Sequence, residues 1–175
     1  MPVPSVVAAA TRQRMGNAGQ ACNAAKRFIV AGDIYDDFVE QFTKSMSALT
    51  PGDPTDPASD FGPLSSEAAA VNLIGQIEDA VSKGATLRTG GARVQGPGAY
   101  VQATVLTDVT PDMRAYSEEL FGPAAVVYKV EDADGAVELA GRRQRPADAR
   151  QVAPDLHDDA RRTVGDPPRQ LALLQ

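Results

Sequence analysis

The sequence predicts an α/β fold built on a mostly parallel sheet, and three observations carry that expectation. Short apolar runs at 27–30 and 124–130 have the length and branching of buried strands. Between them, apolar residues recur at helical spacing over 34–49 and again over 65–83. Strands that alternate with helices of this length match βαβ layering, in which a crossover helix returns the chain for parallel pairing.

Taken in order, residues 5–15 are rich in Ala and Val and read as a helix. Gly16 and Gly19 loosen the chain before the first strand at 27–30. Asp33 suits an N-cap, with Asp36 and Asp37 near the positive helix end. Ile34, Phe38, Phe42, Met46 and Leu49 then mark one face of a helix over about 34–49. Residues 50–64 hold four prolines and two glycines, which makes them an irregular connection. Ser65 is expected to cap the next helix, with Val71, Ile74, Ile77 and Val81 on its buried side and Gly84 as its stop. A short strand is expected at 85–88, a Gly-rich loop at 90–98 and a strand or edge segment at 100–106. After the strand at 124–130, Asp132 caps a short helix through Ala140.

The length allows one ordinary domain with a real core. With no Trp and 5% aromatic residues, that core must be mostly Ala, Val, Leu and Ile. A net charge of −6 argues against a nucleic-acid or anionic-membrane surface. No apolar run is long enough for a bilayer, and the N-terminus has no signal-peptide pattern. One cysteine and no export signal point to a cytoplasmic protein.

Composition shifts near residue 140. Residues 1–140 carry a net −8, whereas 141–175 carry +2, with every basic residue an Arg and with four prolines. Two readings stand for this tail: a flexible, solvated extension, or an out-of-frame continuation of a genuine coding sequence. The complete absence of Lys, Ile, Phe and Tyr favours the second.

Cys22 is the single cysteine, so it forms no internal disulfide and supplies no Cys-rich metal site. Taken alone, it reads either as a small buried hydrophobe or as a nucleophile. No set of His, Cys and Asp has metal-ligand spacing, so no metal is expected. Gly90–Gly98 lacks the spacing of a dinucleotide fingerprint. His157 reads as a surface residue of the tail, and Asp36/Asp37 and Asp158/Asp159 as solvated charge pairs.

Three segments break this tie. They are Asn17-Ala-Gly-Gln-Ala-Cys22, then Gly52-Asp-Pro-Thr-Asp-Pro with Phe61-Gly-Pro-Leu64, then Glu118-Glu-Leu-Phe-Gly-Pro123. In this order they resemble the aldehyde dehydrogenase superfamily over roughly residues 5–140. Ala24-Ala-Lys-Arg-Phe-Ile-Val30 and Asp33-Ile-Tyr-Asp-Asp-Phe38 resemble the branch that acts on succinate semialdehyde. The resemblance implies a partial catalytic domain over 1–140, with the three-layer architecture of that fold. It implies that Cys22 attacks the aldehyde, with its backbone N–H facing the oxyanion, and that NAD or NADP takes the hydride. It further implies that Glu119 binds the nicotinamide ribose hydroxyls and that Phe121 packs near the nicotinamide ring. Asn17, Gly19 and Gln20 shape the turn.

The family's dinucleotide domain, general-base glutamate and oxyanion asparagine have no counterpart among these residues. The isolated chain is therefore expected to be nearly inactive. The partners expected are a small aldehyde, neither nucleic acid nor membrane, and either another copy of the chain or a full-length homologue. The last is the competing reading, a non-catalytic module that joins a complete enzyme. Residual thiol esterase chemistry is a third.

Overall fold

The computed structural model describes residues 3–141. Four strands form one sheet in the order β1 (Arg27–Ala31), β4 (Ala124–Val130), β3 (Thr104–Thr107) and β2 (Thr86–Thr89). β1 pairs parallel with β4 and β4 parallel with β3, whereas β2 joins β3 antiparallel. The expected mostly parallel sheet is present, with one antiparallel edge. The tail, including His157 and Asp158/Asp159, lies outside the described residues apart from Gly141.

The central strands explain the layering. β3 is buried along its whole length, and β4 from Ala124 to Tyr128. Because side chains alternate along a strand, an unbroken buried run means both sheet faces are covered. Val105, Ala125 and Val127 meet α1 (Val3–Met15) and α2 (Gly32–Ser47) through Val7, Ala10, Phe38, Phe42 and Met46. Leu106, Ala124, Val126 and Tyr128 face α3 (Glu67–Ser82) through Leu73, Ile77 and Ala80. Phe28, Phe38 and Phe42 form an aromatic cluster under α2, with ring centroids 4.8–6.2 Å apart. This cluster anchors β1, and so the loop that enters it, to the first layer.

Several local expectations need correction. Asp33 is not the N-cap of α2. Ala31 holds that position without a side-chain cap, and Asp33 lies inside the first turn, where its charge still favours the helix end. Ser66, not Ser65, caps α3, its Oγ accepting from the Ala69 N–H at 3.1 Å. Ser66→Ala should cost about 1 kcal/mol in a urea titration, the usual loss for such a cap.

The buried residues of α3 are Ala70, Leu73, Gln76, Ile77 and Ala80. Val71 and Val81 face outward, Val71 at 60% exposure. Small residues let the helix sit close to the sheet, so apolar size alone misleads about its inner face. Gly84 follows α3 at φ +104°, in agreement with its role as a stop. β2 and β3 occupy 86–89 and 104–107, later than the expected 85–88 and 100–106. Asp132 caps α5 (Ala133–Gly141) as expected, accepting from the Gly135 N–H at 2.9 Å. The short α4 (Arg114–Ser117) was not anticipated.

Candidate functional site

The site is built from two turns that lead into the neighbouring strands β1 and β4. The first carries Cys22. α1 ends at Met15, and Asn17, Ala18 and Gly19 follow with φ of 52°, 53° and 75°. Three successive left-handed residues reverse the chain sharply, which is rare for residues with a Cβ. The 21–24 turn closes with the Ala24 N–H bonded to the Ala21 carbonyl at 3.1 Å. Cys22 is exposed at its tip.

Three side chains hold this reversal. Arg14 is fully buried at the end of α1. Its Nη2 donates to the Gly19 carbonyl at 2.5 Å and its Nη1 to the Ala25 carbonyl at 3.2 Å, one on each side of Cys22. Burial lowers its pKa to about 10, with nearby Glu119 opposing the shift, so the group stays charged at neutral pH. Gln20 donates to the Pro63 carbonyl at 3.3 Å and accepts from the Ser65 N–H at 2.7 Å. That ties the second motif, Phe61-Gly-Pro-Leu64, to the first. Lys26, last before β1, folds back and donates to the carbonyls of Ala21, Cys22 and Ala24 at 3.0, 3.2 and 3.1 Å.

The second turn carries Glu119 and Phe121. It is held from α3. Asp79 accepts from the Arg114 N–H at 2.8 Å, and Gln76 donates to Glu118 at 2.9 Å and to the Glu119 carbonyl at 3.2 Å. Arg114 in turn pairs with Glu118 at 2.9 Å. Hydrogen bonds from Arg114, then from Gln76, hold the Glu118 carboxyl below its ordinary pKa. Asp79 is lowered likewise, first by the Arg114 N–H and then by Lys83. Both remain ionised at neutral pH and keep the turn fixed.

The two turns meet at two points. Glu119 Oε1 pairs with Lys26 Nζ at 2.8 Å, so one ammonium touches both the Cys22 carbonyl and the Glu119 carboxylate. Gly19 lies against the Gly122 carbonyl so closely that any Cβ there would collide with it. Phe121, immediately before Gly122, is 43% exposed. The structure thus places Cys22 and Glu119 on adjoining turns and puts Phe121 on the Glu119 turn. Beside the Cys22 turn, Met15, Asn17, Ala18 and Phe61 to Pro63 line an open cleft of about 350 Å³.

Lys26, Arg14 and Gln76 were not singled out in the sequence. Lys26 lies four residues after the cysteine, but nothing in that spacing shows a side chain folding back. Arg14 resembles any solvated charge in an Ala-rich helix. Among the described residues, no group of three or more His, Cys, Asp or Glu could hold a metal, and no helix is long and apolar enough to cross a membrane.

The aldehyde dehydrogenase family profile matches residues 3–145. A succinate-semialdehyde dehydrogenase [NADP(+)] of Deinococcus radiodurans is 60% identical over 136 residues, covering 78% of this chain and 28% of that protein. A Mycobacterium avium enzyme of the same name is 52% identical over 134 residues, covering 77% and 28%. Among solved structures, the Streptococcus pyogenes succinic semialdehyde dehydrogenase in complex with NADP+ superposes with a TM-score of 0.76 at 38% identity, covering 79% of this chain and 30% of that one. Lactaldehyde dehydrogenase from Escherichia coli gives 0.77 at 34%, covering 81% and 30%. The chain spans between a quarter and a third of the length of the relatives it matches.

Proposed function

The chain belongs to the aldehyde dehydrogenase family, and we propose that it carries the nucleophile and the nicotinamide-contact turn of an NAD(P)-dependent oxidation of an aldehyde, with succinate semialdehyde as the substrate. The observation that carries this reading is the exposed thiol of Cys22 on a turn bridged through Lys26 to Glu119. The substrate follows the names of the 60% and 52% identical relatives.

The residues present fit the ribosyl-nicotinamide end of such a cofactor. Glu119 offers a half-exposed carboxylate able to accept from two hydroxyls, and Phe121 offers an exposed ring on the same turn. Bound there, the cofactor would accept the hydride from the aldehyde carbon. Relatives point to NADP, and solved neighbours include complexes with NADP+ and with NAD+.

In this scheme the Cys22 thiol gives its proton to solvent, its sulfur forms a bond to the carbonyl carbon, and the oxygen takes the negative charge as the carbon–oxygen π bond breaks. By the family resemblance, the Cys22 backbone N–H would donate to that oxygen. Loss of hydride restores the carbonyl as a thioester on Cys22. Water then cleaves the carbon–sulfur bond, releasing the carboxylic acid and returning the thiol. Glu118 is held by Arg114 and Gln76, so it is not assigned as the base for that water.

Acyl transfer to Cys22 needs neither cofactor nor hydride, so it tests the nucleophile alone. Brief exposure to p-nitrophenyl acetate should expel p-nitrophenolate and leave one acetyl group on Cys22, visible by intact mass and removed slowly. Cys22→Ala should carry none. An acetyl group placed elsewhere, or none on a folded chain whose thiol still alkylates, would contradict the assignment.

A further inference from the structure

Lys26 takes no part in the chemistry above, yet its ammonium sits among four oxygens. Three are the carbonyls of Ala21, Cys22 and Ala24 and the fourth is Glu119 Oε1. An ammonium has three N–H donors, so four acceptors oversubscribe it. The carbonyls belong to the backbone of the Cys22 turn and cannot leave without opening it. The Glu119 side chain is 48% exposed, against 11% for Lys26, and a pair on the wet side is held weakly. Glu119 is therefore the exchangeable partner.

We propose that Lys26 is a positioning residue that couples the two turns, so that withdrawal of the Glu119 carboxylate toward the hydroxyls of a bound diol leaves the full ammonium charge on the Cys22 turn. This rests on the reading of Glu119 as a ribose contact. No covalent bond changes; hydrogen bonds and charge redistribute. The Cys22 carbonyl oxygen and Sγ are separated by four bonds, which keeps Sγ within roughly 8 Å of Nζ. At that range in a partly exposed site, an ammonium that is no longer neutralised attracts an anionic sulfur enough to change its reactivity severalfold.

The test uses iodoacetamide and no aldehyde or cofactor, so its failure is separate from failure of the dehydrogenase reading, which the ester experiment probes. Alkylation of Cys22 is followed by intact mass at fixed pH and low salt in the native chain, Glu119→Gln, Lys26→Met and the double variant. Glu119→Gln should speed alkylation roughly threefold or more. In the Glu119→Gln background, Lys26→Met should slow alkylation by a similar factor, because the unneutralised ammonium is what attracts the anionic sulfur. A Lys26 that only braced the turn would leave the rate of Glu119→Gln unchanged when Lys26→Met is added to a chain that still folds, and that outcome overturns the proposal. Should Lys26→Met fail to fold, Glu119→Gln alone decides, since it removes only a surface charge. An unchanged alkylation rate in that single variant overturns the coupling.

Discussion

Gly19→Ala should destabilise the chain by about 4 kcal/mol in a urea titration and abolish acetylation of Cys22. Two effects add. Gly19 sits at φ +75°, where a side chain costs ~1–2 kcal/mol. Ala18, at φ 53°, already bears that cost, so backbone conformation by itself is tolerable. The second effect is decisive. A Cβ on Gly19 would collide with the Gly122 carbonyl on one side and Arg14 Nη2 on the other. The first is backbone and the second is a fully buried group already bonded to the Gly19 carbonyl, so neither yields cheaply. The loss must come from separating the Cys22 turn from the Glu119 turn, and hence from the site itself. Gly16→Ala is the matched control. Nothing lies within 4 Å of a Cβ there and its φ is ordinary. It should leave stability within about 1 kcal/mol, and the alanine should even help by restricting the unfolded chain. Equal effects at Gly16 and Gly19 would show that the close approach to Gly122 does not matter.

Arg14→Ala should cost ~2–4 kcal/mol and make the 17–25 segment exchange its amide hydrogens much faster. The guanidinium is completely buried, and its lowered pKa shows that burial is unfavourable for the charge. Removing it relieves that cost. What remains is worse, because the Gly19 and Ala25 carbonyls lose their side-chain donor and each stranded acceptor costs ~1–3 kcal/mol. Alanine also leaves a cavity where the aliphatic stem had packed. The balance therefore favours net loss. Arg14→Lys should recover only part, since one ammonium does not reproduce a planar fork that spans two carbonyls. A stable Arg14→Ala chain with an unchanged exchange pattern would show that the turn holds without this brace.

The sequence was informative where a property is local and contiguous. The 124–130 run became β4 because its stretch from Ala124 to Tyr128 has the unbroken apolar character that a strand buried on both faces requires. The helix beginning near Asp33 was legible from the spacing of Phe38, Phe42 and Met46, although its cap was not, since Ala31 offers no side-chain oxygen. Cys22, Glu119 and Phe121 were legible as candidates because each sits inside a short contiguous motif. The groups that bring them together were not. Lys26 acts by folding back on its own loop, Gln76 by reaching more than forty residues ahead, and Arg14 by ending a helix against a turn that only the left-handed run creates. Each of those relations depends on tertiary geometry that no spacing encodes. The inner face of α3 differs from the face its large apolar residues mark for a related reason: its contact with the sheet is set by Ala70 and Ala80, whose smallness matters more than the size of Val71 and Val81.

In the proposed function these residues supply the nucleophile and the nicotinamide-contact turn of the oxidation. The most direct measurement is the appearance of reduced cofactor when the purified chain meets succinate semialdehyde with NADP+ or NAD+, run beside Cys22→Ala and a circular-dichroism spectrum. The expected result is a folded chain that is acetylated at Cys22 by the activated ester, yet forms little or no reduced cofactor. Sustained, Cys22-dependent reduction by the chain alone would contradict it, and would mean that the base and the cofactor contacts are already present among these residues.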